Sequence, residues 1–337
     1  MAINVAVIGA GYWGANLIRN FANLETCRLA MVCDLDTGRL ARVAESYPQV
    51  RITTRLEDVL ENDAITAVAV ATPAESHCDV ALACLAAGKH VFVEKPLAAN
   101  SVDGALMIRV AEANGRILMV GHIFLYDAAV TRMIELVHDG RIGDVRYLHG
   151  VRTSMAGTAR LDTNIVWDAL SHDAYILPAL FGGAPQRVMA AGAGYLSPGF
   201  EDVAFVTFDF GDNRLAQMYV SWYALEKARR MTVIGSDAIL HYDDLGASQL
   251  TLYHRGYEQS AERDPQGRPY WHWRDKGSEP VTLQRVEPLR AECRHFVASI
   301  VEGTRLLTDG ASGLAAVRVL EACQRALQNH NCWVLVD

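Results

Sequence analysis

The chain has no run of eighteen consecutive apolar residues, so no segment of it is expected to cross a membrane as a helix. It has no excess of basic charge. Lys and Arg number 31 against 39 Asp and Glu, a formal net charge of −8. That balance argues against a nucleic-acid or anionic-membrane partner, since both need a basic face; it still allows a local basic pocket. There is no Cys-x-x-Cys pair. The seven cysteines (Cys27, Cys33, Cys78, Cys84, Cys293, Cys323 and Cys332) are odd in number and scattered. They are expected to be reduced thiols of a cytoplasmic protein, mostly small core residues, and no metal site is expected. No internal repeat and no low-complexity segment occurs, and with the first apolar strand starting almost at once no signal peptide is expected. What is present suits a two-domain globular protein: 337 residues, 51% hydrophobic and 21% charged.

The most informative stretch is Val5-Ala-Val-Ile-Gly9-Ala-Gly11-Tyr12-Trp13-Gly14. It reads as a buried strand running into a glycine-rich turn that opens a helix. Gly9 makes the tight turn, Gly11 lets the backbone approach a pyrophosphate, and Gly14 lets the helix lie close to the strand. Tyr12 and Trp13 are expected beside the cofactor, and the helix that opens at Trp13 aims its amide donors at the phosphates. Asp34 closes a second strand twenty residues after Gly14, placed for the adenosine ribose hydroxyls. A dinucleotide site is the expectation. NAD is preferred over NADP because a 2′-phosphate would meet the Asp34 charge, which Arg39 in the next helix would soften.

Strands and helices alternate through the first third: strands Asn4–Gly9, Arg28–Asp34, Ala67–Ala71, His90–Val93 and Arg116–Val120, helices Trp13–Phe21, Thr37–Ser46, Leu56–Glu61, Ala74–Ala87 and Ser101–Asn114. Continuous apolar strands in this order imply a parallel sheet covered on both faces. After a helix at Ala128–Asp139 the pattern becomes one of period-two strands: Val145–Thr153, Val188–Ala193, Val203–Phe210, Arg214–Tyr223, Met231–Gly235, Ala238–Tyr242 and Gln249–His254. A helix at Trp167–Leu180 interrupts them, Gly211-Asp212-Asn213 forms a hairpin turn, and Glu258–Pro280 reads as a long surface excursion. Helices at Pro288–Glu302 and Gly310–Gln328 close the chain. The fold class is therefore α/β: an N-terminal Rossmann dinucleotide-binding domain, 1–122, and a C-terminal α+β domain with an open, mainly antiparallel sheet, 123–337. One sheet face should pack on helices. The other is partly apolar, with Phe205, Phe208, Phe210, Tyr219, Trp222 and Tyr223 divided between the faces, and an uncovered apolar face predicts a homodimer or homotetramer.

Two constellations bear chemistry. Val91-Phe-Val-Glu94-Lys95-Pro96 sets a lysine at the end of an apolar strand, where open α/β sheets bind ligands. Lys95 is either a group that bonds a substrate hydroxyl near the nicotinamide or a solvated strand-end lysine. Glu94 holds the backbone there or tunes the lysine. Asp168 and His172 are four apart and share a helix face, as a general base with its orienting carboxylate or as a surface ion pair. Thr72-Pro73, with Ser76 and His77, follows a strand end and lines the cofactor cleft or merely caps a helix. His122, after Gly121, either lines the same cofactor cleft or has a structural role.

These motifs in this order resemble the glucose–fructose oxidoreductase/inositol dehydrogenase (Gfo/Idh/MocA) family across essentially the whole chain. The stretches Gly11–Phe21 and Gly121–Tyr126 resemble its sugar 3-dehydrogenases, which act on nucleotide sugars or on sugars of antibiotics and surface polysaccharides. The resemblance implies an NAD-dependent oxidoreductase acting on a secondary sugar hydroxyl, with Lys95, His172 and Asp168 catalytic and with Tyr126, Arg152, Arg160, Asn164 and Trp167 on the substrate wall. Two alternatives remain: an NAD-binding regulatory protein without turnover, or a same-fold enzyme that keeps its NAD bound and works through a transient oxidation. The chain departs from the family at Leu170, where many members have glycine. It has an acid, Asp168, that the nucleotide-sugar branch often lacks, and Arg160 is the only basic residue in Met155–Asn164. The last two features suit an aminoglycoside-like acceptor at least as well as a nucleotide sugar.

Overall fold

The computed structural model describes residues 2–154, 163–196, 199–329 and 332–337. The chain divides into two compact units, Met1–Asp127 with Val286–Arg318 and Ala128–Arg285 with Val319–Asp337.

The first unit opens with β1 (Ile3–Ile8), α1 (Tyr12–Ala22), β2 (Cys27–Cys33), α2 (Thr37–Ser46), β3 (Arg51–Thr53) and α3 (Glu57–Leu60). It continues with β4 (Ala67–Val70), α4 (His77–Ala86), β5 (His90–Glu94), α5 (Ser101–Ala113) and β6 (Leu118–Gly121). The strands form one sheet in the order β3-β2-β1-β4-β5-β6, parallel throughout. The order reverses between β1 and β4, which makes the carboxyl edge beside β1 the place where such sheets bind ligands. The apolar runs are buried as a sheet covered on both faces requires; all four residues of β4 are inaccessible. β3 was not among the expected strands, because Arg51–Thr53 is short and mostly exposed.

The second unit holds α6 (Ala128–His138), β7 (Val145–Thr153), α7 (Ser171–Phe181), β8 (Arg187–Ala193), β9 (Val203–Asp209), β10 (Leu215–Ser221), β11 (Ala228–Gly235) and β12 (Ile239–Asp243). β13 (Leu250–Arg263) and β14 (Pro269–Pro280) follow. α8 (Pro288–Val301) returns to the first unit, the division falls within α9 (Gly310–Gln328), and β15 (Val334–Leu335) ends the chain. The sheet order is β14-β13-β12-β11-β7-β10-β9-β8-β15. Its pairings are antiparallel except for β7 with β10. Burial alternates with the pleat: Leu148, Ala216, Phe208, Val233, Leu240 and Leu252 are buried, whereas Tyr147, Phe205 and Leu215 are exposed. Asp212 and Asn213 have φ of 52° and 58°, which the tight turn between β9 and β10 requires.

Three expectations need correction. Glu258–Pro280 is not an irregular excursion but most of a hairpin, in which Tyr257 pairs with Trp273 and Gln259 with Trp271. Its polar composition hid the strands, because neither face is strongly buried. The helix expected at Trp167–Leu180 begins with a π-helical turn, Val166–Leu170, before α7. The stretch Val286–Arg318, expected in the second domain, belongs to the first unit. The cause is aromatic packing. Phe296 of α8 lies with its ring centroid 6.5 Å from that of Phe21 on α1 and 5.8 Å from that of Phe92 on β5. All three rings are fully buried, each contributing about 1.5–3 kcal/mol by area.

Candidate active site

The residues of the first unit expected to bind the cofactor lie along one edge of its sheet, beyond the carboxyl ends of β1, β2, β4, β5 and β6. Gly9 has φ +93°, and a Cβ there would meet the Ala71 carbonyl oxygen at 2.6 Å. A Cβ on Gly14 would lie 1.9 Å from the Gly9 oxygen, so α1 approaches the turn only because that residue is glycine. A Cβ on Gly11 would meet only the Arg39 guanidinium, at 3.8 Å. The turn is thus an open backbone cradle at the start of an eleven-residue helix, which fits a dinucleotide pyrophosphate. Tyr12 and Trp13 are exposed on it, their rings edge-to-face at 5.6 Å.

Asp34 is buried at the end of β2. Its Oδ2 accepts the Ala10 backbone N–H and its Oδ1 that of Asp36, at 2.7 Å. The carboxylate is thereby fixed between the first and second βα turns. Arg39 Nη1 stands 3.5 Å from Oδ2, and its Nε 3.5 Å from Asp36.

Thr72 and Pro73 follow β4, as expected. Ser76 does not cap the next helix; its hydroxyl donates to the Pro73 carbonyl and lies 2.8 Å from Thr72 Oγ1. His77 is buried with its ring between two carbonyls, Nδ1 2.8 Å from the Pro96 oxygen and Nε2 2.9 Å from that of Thr72. It ties the turn after β4 to the turn after β5, so it supports the cofactor edge from behind. Burial pushes its pKa down, against the two carbonyls.

Lys95 follows Glu94 at the end of β5, half-buried, and precedes a cis peptide bond to Pro96. Burial lifts the Glu94 carboxyl to about 7, although Lys95 works the other way. His122 is fully enclosed, and burial with the nearby Lys95 charge pushes it down to about 3, so it is a neutral imidazole. Tyr126, expected on the substrate wall, turns inward instead. Its hydroxyl lies 2.8 Å from His295 Nδ1, and His295 Nε2 lies 2.9 Å from the Arg305 carbonyl. The Nε2–H donates to that carbonyl, so Nδ1 accepts from the tyrosine.

The second unit positions the other set. Asn164 caps the π turn: its Oδ1 accepts the Trp167 N–H, and its amide donates to Glu201 and Gln324. Those bonds occupy its side chain. Arg152 is likewise committed. It is buried at the end of β7 and donates from Nε and Nη2 to the two oxygens of Asp173, at 2.9 and 2.8 Å. Burial works against its charge and Asp173 more than offsets this, so its pKa is raised. Asp168 and His172, both half-buried, flank the change from π to α geometry. Such turns recur at functional sites. Asp168 Oδ2 accepts the Trp222 indole N–H at 3.1 Å, and His172 Nδ1 lies 3.0 Å from the Tyr175 hydroxyl. Trp167 is half-buried beside them in sequence. Leu170 is fully buried in the unit's core, which explains why a side chain is tolerated there. Arg160 lies outside the described residues.

Sequence reasoning missed Tyr175 and Trp222 as site residues. Tyr175 is three residues after His172, a spacing that places both on one helix face. Trp222 follows β10, and only the folded sheet brings it to Asp168. Among the described residues there is no cluster of three His, Cys, Asp or Glu able to hold a metal ion. None of their helices is long and apolar enough to cross a membrane.

Two family models match. Residues 3–122 match the NAD-binding Rossmann fold of an oxidoreductase family, and residues 130–241 match the GFO/IDH/MocA C-terminal domain. Over 97% of this chain and 99% of its own length, a UDP-N-acetylglucosamine 3-dehydrogenase of Acidithiobacillus ferrooxidans is 28% identical. Its solved structure superposes with a TM-score of 0.83 at 26% identity, covering 98% of each chain. A 2,7-anhydro-N-acetylneuraminate hydratase of Mediterraneibacter gnavus is 30% identical over 64% of this chain, and the chain spans 60% of that relative's length. The fold is shared with GenD2 from gentamicin A biosynthesis, solved in complex with NAD, at a TM-score of 0.84 and 22% identity over 100% of this chain and 97% of that one. The chain belongs to the Gfo/Idh/MocA family of NAD-binding oxidoreductases.

Proposed function

We propose that this chain oxidises a secondary hydroxyl of a sugar, at C3, with NAD. The sugar is either part of a nucleotide sugar or a unit of an aminoglycoside-like natural product. The observation that carries the reading is the position of Lys95, on the same sheet edge as the glycine cradle and Asp34. The relative named a UDP-N-acetylglucosamine 3-dehydrogenase, similar from end to end, supports C3.

NAD, held by the glycine cradle and Asp34, would supply the acceptor for the hydride of the carbinol carbon. His172 takes the hydroxyl proton at Nε2; in the tautomer this needs, Nδ1 carries the hydrogen and faces the Tyr175 oxygen, 3.0 Å away. Lys95 donates to the same oxygen and stabilises its alkoxide character. Asp168, steadied by Trp222, accepts a neighbouring sugar hydroxyl. Trp167 walls the sugar. The exposed sheet face around Phe205 and Tyr219, whose rings stack at 5.0 Å, is covered by a second copy of the chain.

The similarity to a hydratase favours one alternative. In that case NAD stays bound, and the oxidation is reversed before product leaves. The test is to add UDP-N-acetylglucosamine, aminoglycoside precursors and free sugars to the NAD-loaded protein and follow reduced-nicotinamide absorbance. A lasting rise supports the dehydrogenase. Product without a net rise supports the bound-NAD route. No product with any sugar rejects both.

A further inference from the structure

The interior of the first unit holds a carboxyl that the proposed chemistry does not use. Glu292 lies on α8, fully buried, and neither of its oxygens has a hydrogen-bond partner among the described residues. Two periodicities give its place. Phe296, one helical turn further along α8, packs against Phe92 of β5 with ring centroids 5.8 Å apart. Phe92 and Glu94 are two apart on β5 and face the same side of the sheet. One turn back along α8 and two residues on along β5 lead to Glu292 and Glu94, and the Glu94 charge acts on Glu292.

The neighbouring strand leaves room for the Glu94 carboxylate. Its register partner on β6 is Gly121, where a Cβ would stand 3.1 Å from Glu94 Oε2. Glu94 accepts the backbone N–H of Lys95. His122, after β6, is neutral, and the Tyr126 hydroxyl is engaged with His295. On α8, burial pushes the Cys293 thiol well up. Lys95 is the cation that acts on Glu94. Two carboxyls in one apolar interior raise each other's pKa and do not both ionise near neutral pH.

We propose that Glu94 and Glu292 form one buried acid pair carrying a single negative charge, and that Glu292 is a positioning residue whose neutral carboxyl stabilises the charge on Glu94 and so holds the Lys95 main chain. Burial fits this, since it lifts Glu94 to about 7 and Glu292 well above the ordinary carboxylate range. The functional half rests on Lys95 being an active-site residue, so one arm of the test needs no turnover.

In that arm, thermal unfolding is followed against pH for the unmodified chain and for Glu292→Gln. A carboxyl kept neutral by the fold costs stability as pH rises above its unfolded pKa, and an amide does not. Glu292→Gln should therefore melt higher, by a margin that grows from pH 5 to pH 7. When Glu94→Gln is present in both chains, the margin should level off at lower pH, because Glu292 no longer feels a neighbouring charge. A margin independent of pH overturns the pair. In the second arm, the pH profile of kcat should show a limb near 7 that persists in Glu292→Gln. In Glu292→Leu the limb should move up by about one unit, since nothing polar remains beside Glu94. A limb that stays in place in Glu292→Leu overturns the positioning role. A complete absence of turnover in the unmodified chain counts against the proposed function and leaves the melting arm to decide the pair.

Discussion

Arg152 and Asp173 face each other in the interior of the second unit, joined by two parallel hydrogen bonds of 2.9 and 2.8 Å and almost wholly removed from solvent. Asp173 directly follows His172, so this fork fixes the first turn of α7 against the end of β7. Arg152→Ala strands a buried carboxylate and should cost about 3–5 kcal/mol of unfolding free energy. Lysine should not restore it, lacking the bidentate geometry. Chemical denaturation of the two variants checks this. A loss under 1 kcal/mol would mean that the pair is solvated.

Cofactor choice should depend on Asp34 and Arg39 together. Asp34→Ser removes the carboxylate that repels a 2′-phosphate and releases the guanidinium 3.5 Å away. NADP binding should tighten in that variant, and adding Arg39→Ala should cancel most of the gain. Fluorescence titration with reduced cofactors measures both steps. Equal binding of NAD and NADP by the unmodified chain would remove the premise.

His172→Asn and Lys95→Ala should each lower kcat by roughly 10²–10⁴ while leaving NAD affinity nearly intact. The double variant should lose less than the product of the two, because groups acting on one hydroxyl are not additive. Recovery of His172→Asn turnover on adding imidazole identifies histidine as the base; no recovery points to Lys95.

His122 sets a sign for acid stability. Its folded pKa, about 3, is below the ordinary histidine value, so the unfolded chain binds the extra proton first. Its contribution is present above the unfolded pKa and is lost as pH falls toward 3, by about 1.4 kcal/mol per pH unit. Replacing it with an uncharged residue should flatten the acid limb of a stability–pH curve. An unchanged slope would show that His122 takes up its proton in the folded state.

Sedimentation at micromolar concentration should show a dimer or tetramer. Phe205→Asp with Tyr219→Asp should shift it toward a monomer, because both rings lie on the uncovered sheet face. A monomeric unmodified chain would contradict the coverage of that face by a second copy.

Much of this was legible in the residues. The glycine fingerprint, Asp34 and the strand-end Lys95 were readable because local sequence alone decides a tight turn and an apolar strand. The alternating burial from β7 to β12 was readable for the same reason. Other features depend on distant parts of the chain. Nothing near Arg152 announces Asp173, and Trp222 meets Asp168 only once the sheet is formed. The π turn escaped because the three- and four-residue spacings of Trp167–Leu180 suit an ordinary helix. Tyr126 looked like a site residue until the return of α8 gave its hydroxyl a partner.

That return has a consequence for how the protein is made. Phe21 and Phe92 lie in the first hundred residues, but the ring that seals them is Phe296. A growing chain can lay down all six parallel strands, ending at Gly121, and still expose this apolar seam until Phe296 is made. The nucleotide-binding unit is the first to start and among the last to finish. A fragment ending at Asp127 should be the aggregation-prone piece of this protein, soluble only when a segment carrying Pro288–Val301 is supplied alongside it.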